Sequence, residues 1–128
     1  MLDLAKTVLK NAYAPYSHFH VGCAIKTDKG NLYTGCNIEN ASYGLTLCAE
    51  ASAIAAMVTA GENKIQEIVV ISSGTEICTP CGACRQRLFE FSSRDTKIYM
   101  YSASDKKLEA NLFDLLPHTF SANHLEKK

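Results

Sequence analysis

CAEASAIAAMVTAGENKIQEIVVISSGTEICTPCGACRQRLFEFSSRDTKIYMY, residues 48–101, carries the architecture of the chain. Its first twelve residues are rich in alanine and free of glycine and proline, which predicts a tightly packed helix from Cys48 to about Thr59, ended near Gly61. Ile65 to Ser72 contains the continuous run Ile68-Val69-Val70-Ile71, the pattern of a strand buried on both faces. Thr79 and Pro80 read as an N-cap and first helical position, opening a second helix that runs to about Phe91. Lys97 to Tyr101 supplies a further strand. Helix, strand, helix and strand in that order predict right-handed crossovers and an α/β fold whose sheet is partly parallel, with helices on its faces.

Toward the N-terminus, Leu2, Leu4, Ala5, Val8, Leu9 and Ala12 form an apolar stripe on a first helix, which Pro15 prevents from continuing. The runs Phe19 to Ile25 and Asn31 to Ile38 flank the turn-forming cluster Thr27-Asp28-Lys29-Gly30, predicting an antiparallel hairpin that delivers Asn37 and Glu39 at its end. On the other side, Asn111 to Pro117 reads as one short helix stopped at proline, and 126–128 as a frayed end. There is no internal repeat, low-complexity tract or linker. The whole chain, 1–128, therefore reads as a single domain around a mixed sheet of about five strands.

Hydrophobic residues make up 47% and charged residues 20%, and 13 basic residues balance 13 acidic ones. Without a net positive field there is no general electrostatic reason to expect nucleic acid or an anionic membrane as partner, and a small neutral ligand fits better. Asp3, Lys6 and Lys10 interrupt the apolar N-terminus, so it resembles neither a secretory leader nor a membrane span. A cytoplasmic location follows as the expectation. The six cysteines would be kept reduced there, which favours metal ligation or catalysis over a disulfide framework.

Cys48-Ala49-Glu50 and Pro80-Cys81-Gly82-Ala83-Cys84 supply three thiolates and one nearby carboxylate. Three protein ligands on Zn²⁺ leave a position open for water, whereas a structural site closes its sphere with four. Helix N-termini at Cys48 and at the Cys81/Cys84 pair would stabilise the sulfur anions. Three thiolates on Zn²⁺ nevertheless carry a formal charge of about minus one, and Arg85, next to Cys84, is the side chain expected to offset it by donating to the sulfurs. Glu50 is then the general acid and base: it would move a proton from zinc-bound water to a substrate nitrogen, so that hydroxide attacks an electron-poor ring carbon and an amine leaves as ammonia. A cysteine-anchored zinc with a non-ligating glutamate is the constellation of zinc-dependent nucleobase deaminases.

Blander readings stand beside these. Cys78, Cys81 and Cys84 form C-x-x-C-x-x-C, but Cys78 precedes the expected helix start and does not share the later pair's face. Cys23 and Cys36 lie on expected strands and read as core fillers. Glu50 alone could be a helix-dipole acid, Asn37 and Glu39 turn residues, and Phe19 and Phe120 packing aromatics. His18, His20, His118 and His124 lack the partner spacing of metal ligands.

Along almost its whole length the chain resembles the small homotetrameric cytidine deaminases. The resemblance rests on the blocks Ala14 to Phe19, Gly35 to Thr46, Cys81 to Gln86 and Leu115 to Phe120, in order. It implies a three-layer deaminase-like fold and one Zn²⁺ per chain on Cys48, Cys81 and Cys84. The implied reaction is deamination of cytidine and 2′-deoxycytidine in pyrimidine salvage, with attack at C4 and Glu50 shuttling protons. The resemblance further implies that Asn37 and Glu39 bind the ribose 3′-hydroxyl, Phe19 packs on the pyrimidine, and Glu50 contacts the base N3 and exocyclic amine. Backbone groups near Ala49 and Cys81 would orient the ring and the attacking water. Ala41, Tyr43 and Phe120 occupy positions that the family borrows from neighbouring subunits, implying a homotetramer with shared active sites. One departure is Ala51, where the family usually has arginine after the glutamate. Two rivals remain at this stage: a deaminase of another aminopyrimidine, in a nucleoside antibiotic or within nucleic acid, and a non-catalytic zinc or iron–sulfur module using Cys78, Cys81 and Cys84.

Overall fold

The computed structural model describes residues 1–125, and the frayed end expected at 126–128 lies outside the described residues. Five strands, β1 (Val21–Thr27), β2 (Leu32–Cys36), β3 (Ile65–Ser72), β4 (Ser92–Tyr101) and β5 (Lys107–Asn111), form one sheet in the order β2-β1-β3-β4-β5. β1 is antiparallel to both β2 and β3, β3 and β4 are parallel, and β5 closes the far edge antiparallel to β4. The parallel pair is joined through a helix, α3 (Gly82–Glu90), as a parallel connection requires. The other helices are α1 (Leu2–Leu9) and α2 (Ala49–Thr59).

Strand side chains alternate between two faces, and each face finds its own helices. Cys23, Ile25, Ile68, Val70, Ile98 and Met100 bury one face together with Ala49, Ala53 and Met57 of α2 and Leu88 of α3. Ala24, Val69 and Ile71 bury the other with Ala5 of α1. Helices thus cover both faces, giving the expected three layers. The continuous apolar run of β3 is explained by this double burial.

Two glycines set how close the helices come. A Cβ on Gly22 would lie 2.2 Å from the Ala5 carbonyl oxygen, and one on Gly35 would lie 2.3 Å from the Ala53 nitrogen and 2.7 Å from the Ala49 carbonyl oxygen. Backbone meets backbone at both places. Gly35 therefore fixes the height of the first turn of α2 above the sheet, and that turn carries Glu50.

Several boundaries differ from expectation. α1 stops at Leu9, and 10–12 continue as turns whose N–H groups bond three residues back. β2 ends at Cys36, while Ile38 makes isolated bridges to Tyr13 and Leu47. Thr79 and Pro80 do not open α3: Cys81 is its N-cap and Gly82 its first residue. β4 starts at Ser92 because Ser92 pairs with Ile65 across a register shift, five residues before the apolar segment. β5 carries no strand signal in the sequence, since Lys107-Leu108-Glu109-Ala110 lacks the β-branched and aromatic residues that mark strands. The short C-terminal helix is a 3₁₀ turn, Leu112–Leu115, whose Phe113 N–H donates to the Asn111 side chain.

Candidate active site

Two of the three thiols sit at N-caps. Cys48 caps α2 with φ −74° and ψ 156°, and Cys81 caps α3 with φ −66° and ψ 168°. Both have the extended backbone typical of an N-cap residue. Cys84 follows in the first turn of α3. The three sulfurs lie within 4.8 Å of one another and could hold a metal ion, and among the described residues no other group of histidine, cysteine or carboxylate side chains does so. All six cysteines are free thiols. Cys23 is buried in the core and Cys36 is partly buried on β2. Cys78 stands outside the trio, its thiol 3.7 Å from the Thr79 carbonyl oxygen.

The thiols differ in their readiness to ionise. The Cys84 N–H, aided by the neighbouring thiols and the Ala83 N–H and opposed by burial, holds Cys81 below the ordinary thiol range. No cap hydrogen bond of full geometry is formed there. Burial foremost, then nearby negative charge, raises both Cys48 and Cys84, and the Cys84 side chain is fully buried. Such thiols give up protons to a strong, soft cation, and a three-sulfur donor set matches zinc.

Glu50 projects from the first turn of α2 and is only 5% exposed. Burial raises its carboxyl above the usual range, against the opposing pull of its own backbone N–H, the Cys84 thiol and the Arg87 guanidinium. A carboxyl raised by burial is suited to both taking and returning a proton.

Arg85 does not meet the sulfurs as expected. Its Nε donates to the Pro80 carbonyl at 2.8 Å, Nη1 to the Leu115 carbonyl at 2.9 Å and Nη2 to Thr79 Oγ1 at 3.1 Å. It ties the cysteine loop to the C-terminal segment instead. Arg87 makes the sulfur contact, with Nη1 3.7 Å from Cys84 Sγ. The reason is helical spacing: residues three apart share a face and adjacent ones do not. The i, i+3 relation of Cys84 to Arg87 was the signal in the sequence that could have found it.

The remaining expected residues gather near the hairpin exit. The Glu39 carboxylate accepts from the backbone N–H of Tyr16 and Ser17 and from Ser17 Oγ, and the Ser17 hydroxyl foremost holds its pKa below the ordinary value. Phe19 N–H donates to Ser17 Oγ, and His18 just before it sits at φ 57°, in the left-handed region. Asn37 Oδ1 accepts from Val21 N–H at 2.9 Å, and its Nδ2 donates to the Phe19 carbonyl at 2.8 Å. Its amide thus latches the Phe19 loop onto the sheet. Asn37→Ala is expected to cost about 1–3 kcal/mol in a urea melt, because two partly buried backbone groups lose their partner; a change below about 0.5 kcal/mol, the range of an inert surface substitution, would remove that latch role.

Tyr16, Ser17, Glu39, Asn40, Tyr43 and Thr46 line a cavity of about 400 Å³. A larger one, about 740 Å³, opens at the opposite end of the sheet among Ile65, Ser92 and Glu90, away from the thiols. The thiols lie where the loop after β3 enters α3, outside the carboxyl end of the parallel strands, the usual ligand crevice of such sheets. Ala49 is buried, whereas Ala41, Tyr43 and Phe120 are exposed, Tyr43 edge-on to Tyr16 and Phe120 stacked on His124.

Residues 1–101 match the family model for the cytidine and deoxycytidylate deaminase zinc-binding region. The chain belongs to this deaminase family. It is 40% identical over 116 residues to the cytidine deaminase of Halalkalibacterium halodurans, spanning 91% of this chain and 88% of that protein. The crystal structure of cytidine deaminase from Burkholderia pseudomallei superposes with a TM-score of 0.88 at 38% identity, over 92% of this chain and 94% of that one. The cytidine deaminase structure from Mycobacterium tuberculosis gives 0.80 at 37% identity, over 92% of each chain. The sheet order and the helices on both faces are therefore those of the cytidine deaminase fold. The thiol trio supplies this family member with a group able to hold its zinc.

Proposed function

We propose that the chain hydrolyses cytidine and 2′-deoxycytidine to uridine and 2′-deoxyuridine with release of ammonia. The observation that carries this reading is the convergence of the Cys48, Cys81 and Cys84 thiols at two helix starts, with the Glu50 carboxyl buried nearby. Cys48, Cys81 and Cys84 would hold the zinc, which would supply Lewis acidity to the reaction when bound. Glu50 takes a proton from the attacking water as its oxygen adds to C4 and gives that proton to N3; it then takes the proton of the new C4 hydroxyl and delivers it to the exocyclic amine, so that C4=O forms as the C4–N bond breaks and ammonia leaves. Backbone groups beside Ala49 and Cys81 orient the ring and the water.

Phe19 packs on the pyrimidine from the loop that Asn37 latches. Asn37 and Glu39 receive the ribose 3′-hydroxyl: Asn37 keeps a second amide hydrogen beyond the one given to Phe19, and Glu39 keeps lone pairs beyond its three bonds. Ala41, Tyr43 and Phe120 complete the sites of neighbouring copies in a homotetramer, a role supported by their exposure in the single chain. The six free cysteines suit a reducing cytoplasm and a place in pyrimidine salvage. Among the described residues no helix is long and apolar enough to cross a membrane.

The test is incubation with cytidine, 2′-deoxycytidine and cytosine, followed by ultraviolet absorbance, with metal analysis of the same sample. Both nucleosides are expected to react and cytosine barely to do so, with one zinc per chain. Iron and sulfide in a brown protein, or no turnover of either nucleoside by a zinc-loaded sample, would defeat the reading. Gel filtration checks the tetramer.

A further inference from the structure

We propose that Arg87 is the positioning residue that balances the charge of the zinc thiolates, through its hydrogen bond to Cys84. This rests on the zinc-deaminase reading above. Cys84 is fully buried, so its thiolate has no water to share its charge, and three thiolates around a divalent ion leave about one negative charge uncompensated. Among the described residues no side-chain cation other than Arg87 donates to the three sulfurs. Arg85 is committed to Pro80, Leu115 and Thr79. α2 offers no cation at the adjoining position: Ala51 lines, with Ile54, Ala55 and Arg87 itself, a surface groove between α2 and α3.

The guanidinium suits the task. It stays charged at every working pH, and its N–H polarises the sulfur without competing for the metal. Drawing electron density from Cys84 leaves a bound zinc a better Lewis acid, and the positive charge offsets the buried excess of negative charge. Helical spacing from Cys84, not adjacency to it, places the cation.

Arg87 is otherwise exposed, so Arg87→Gln is expected to fold with an unchanged Tm. Loss of a charge-assisted hydrogen bond predicts a kcat lower by about 10- to 100-fold with KM little altered, and zinc released to a chromophoric chelator faster by about the same factor. Arg87→Lys should recover part of both. Ala51→Arg added to Arg87→Gln should recover more, since it returns a guanidinium to the same groove from the facing helix. Wild-type zinc release and kcat in Arg87→Gln would overturn the proposal. So would an impaired Arg87→Gln that neither Arg87→Lys nor Ala51→Arg improves, because that pattern denotes packing and not charge. A wild-type protein that holds no zinc or leaves cytidine untouched would instead overturn the reading beneath it, and this proposal with it.

Discussion

Glu50→Gln is expected to lower kcat on cytidine by about 10²- to 10⁴-fold, the range of general acid–base catalysis, while zinc stays at one per chain. Glutamine keeps the shape of the side chain and can still donate to or accept from the base. It can neither take a proton from water nor return one to N3 and the amine. Since Glu50 does not belong to the thiol trio, metal content should be untouched. Stability should hold or rise. Burial raises the Glu50 carboxyl, so near neutral pH the folded state opposes its charged form, and a neutral isostere removes that penalty. Loss of turnover without loss of zinc or Tm separates proton transfer from metal binding; full activity in Glu50→Gln would end the mechanism.

The parts of the structure that were readable from residues are those where one physical requirement dominates. Ile68 to Ile71 had to be apolar throughout because both faces of β3 are covered there, and the strand spans Ile65–Ser72 as expected. The alanine run of α2 follows from the close approach of its backbone to Gly35. Reading failed where two signals competed. Thr79-Pro80 has the chemistry of a helix start, but Cys81 takes the N-cap and the helix begins at Gly82. Long side chains were the other failure. Arg85 and Arg87 both lie within one turn of Cys84, and only helical phase and the positions of the Pro80 and Leu115 carbonyls decide which reaches sulfur. Cys48, Cys81 and Cys84, by contrast, were legible because metal ligation restricts residue type and spacing together. The bonds of Asn37 to Phe19 and Val21 depend on a loop path that no local pattern encodes.

Gly35→Ala and Gly22→Ala should each destabilise the fold by about 3 kcal/mol, the upper end of overpacking penalties, yet only the first should damage catalysis in molecules that remain folded. Both add one methyl group against helix backbone that no rotamer change can move aside. At Gly22 the methyl meets the Ala5 carbonyl and pushes α1, on the face of the sheet away from Glu50. At Gly35 it meets the Ala53 nitrogen and the Ala49 carbonyl and must lift α2. Ala49 lies between Cys48 and Glu50, so the shift moves a ligand and the proton carrier together while Cys81 and Cys84 stay on α3. Misplacing reacting groups by about 1 Å costs about 100-fold in rate. Urea melts should therefore give similar losses for the two variants, while kcat per folded molecule falls about 100-fold in Gly35→Ala and stays near wild type in Gly22→Ala. Equal activity in the two would mean that the height of α2 above the sheet does not set the geometry of the site. A difference between them would place the register of catalysis in a position that carries no side chain at all.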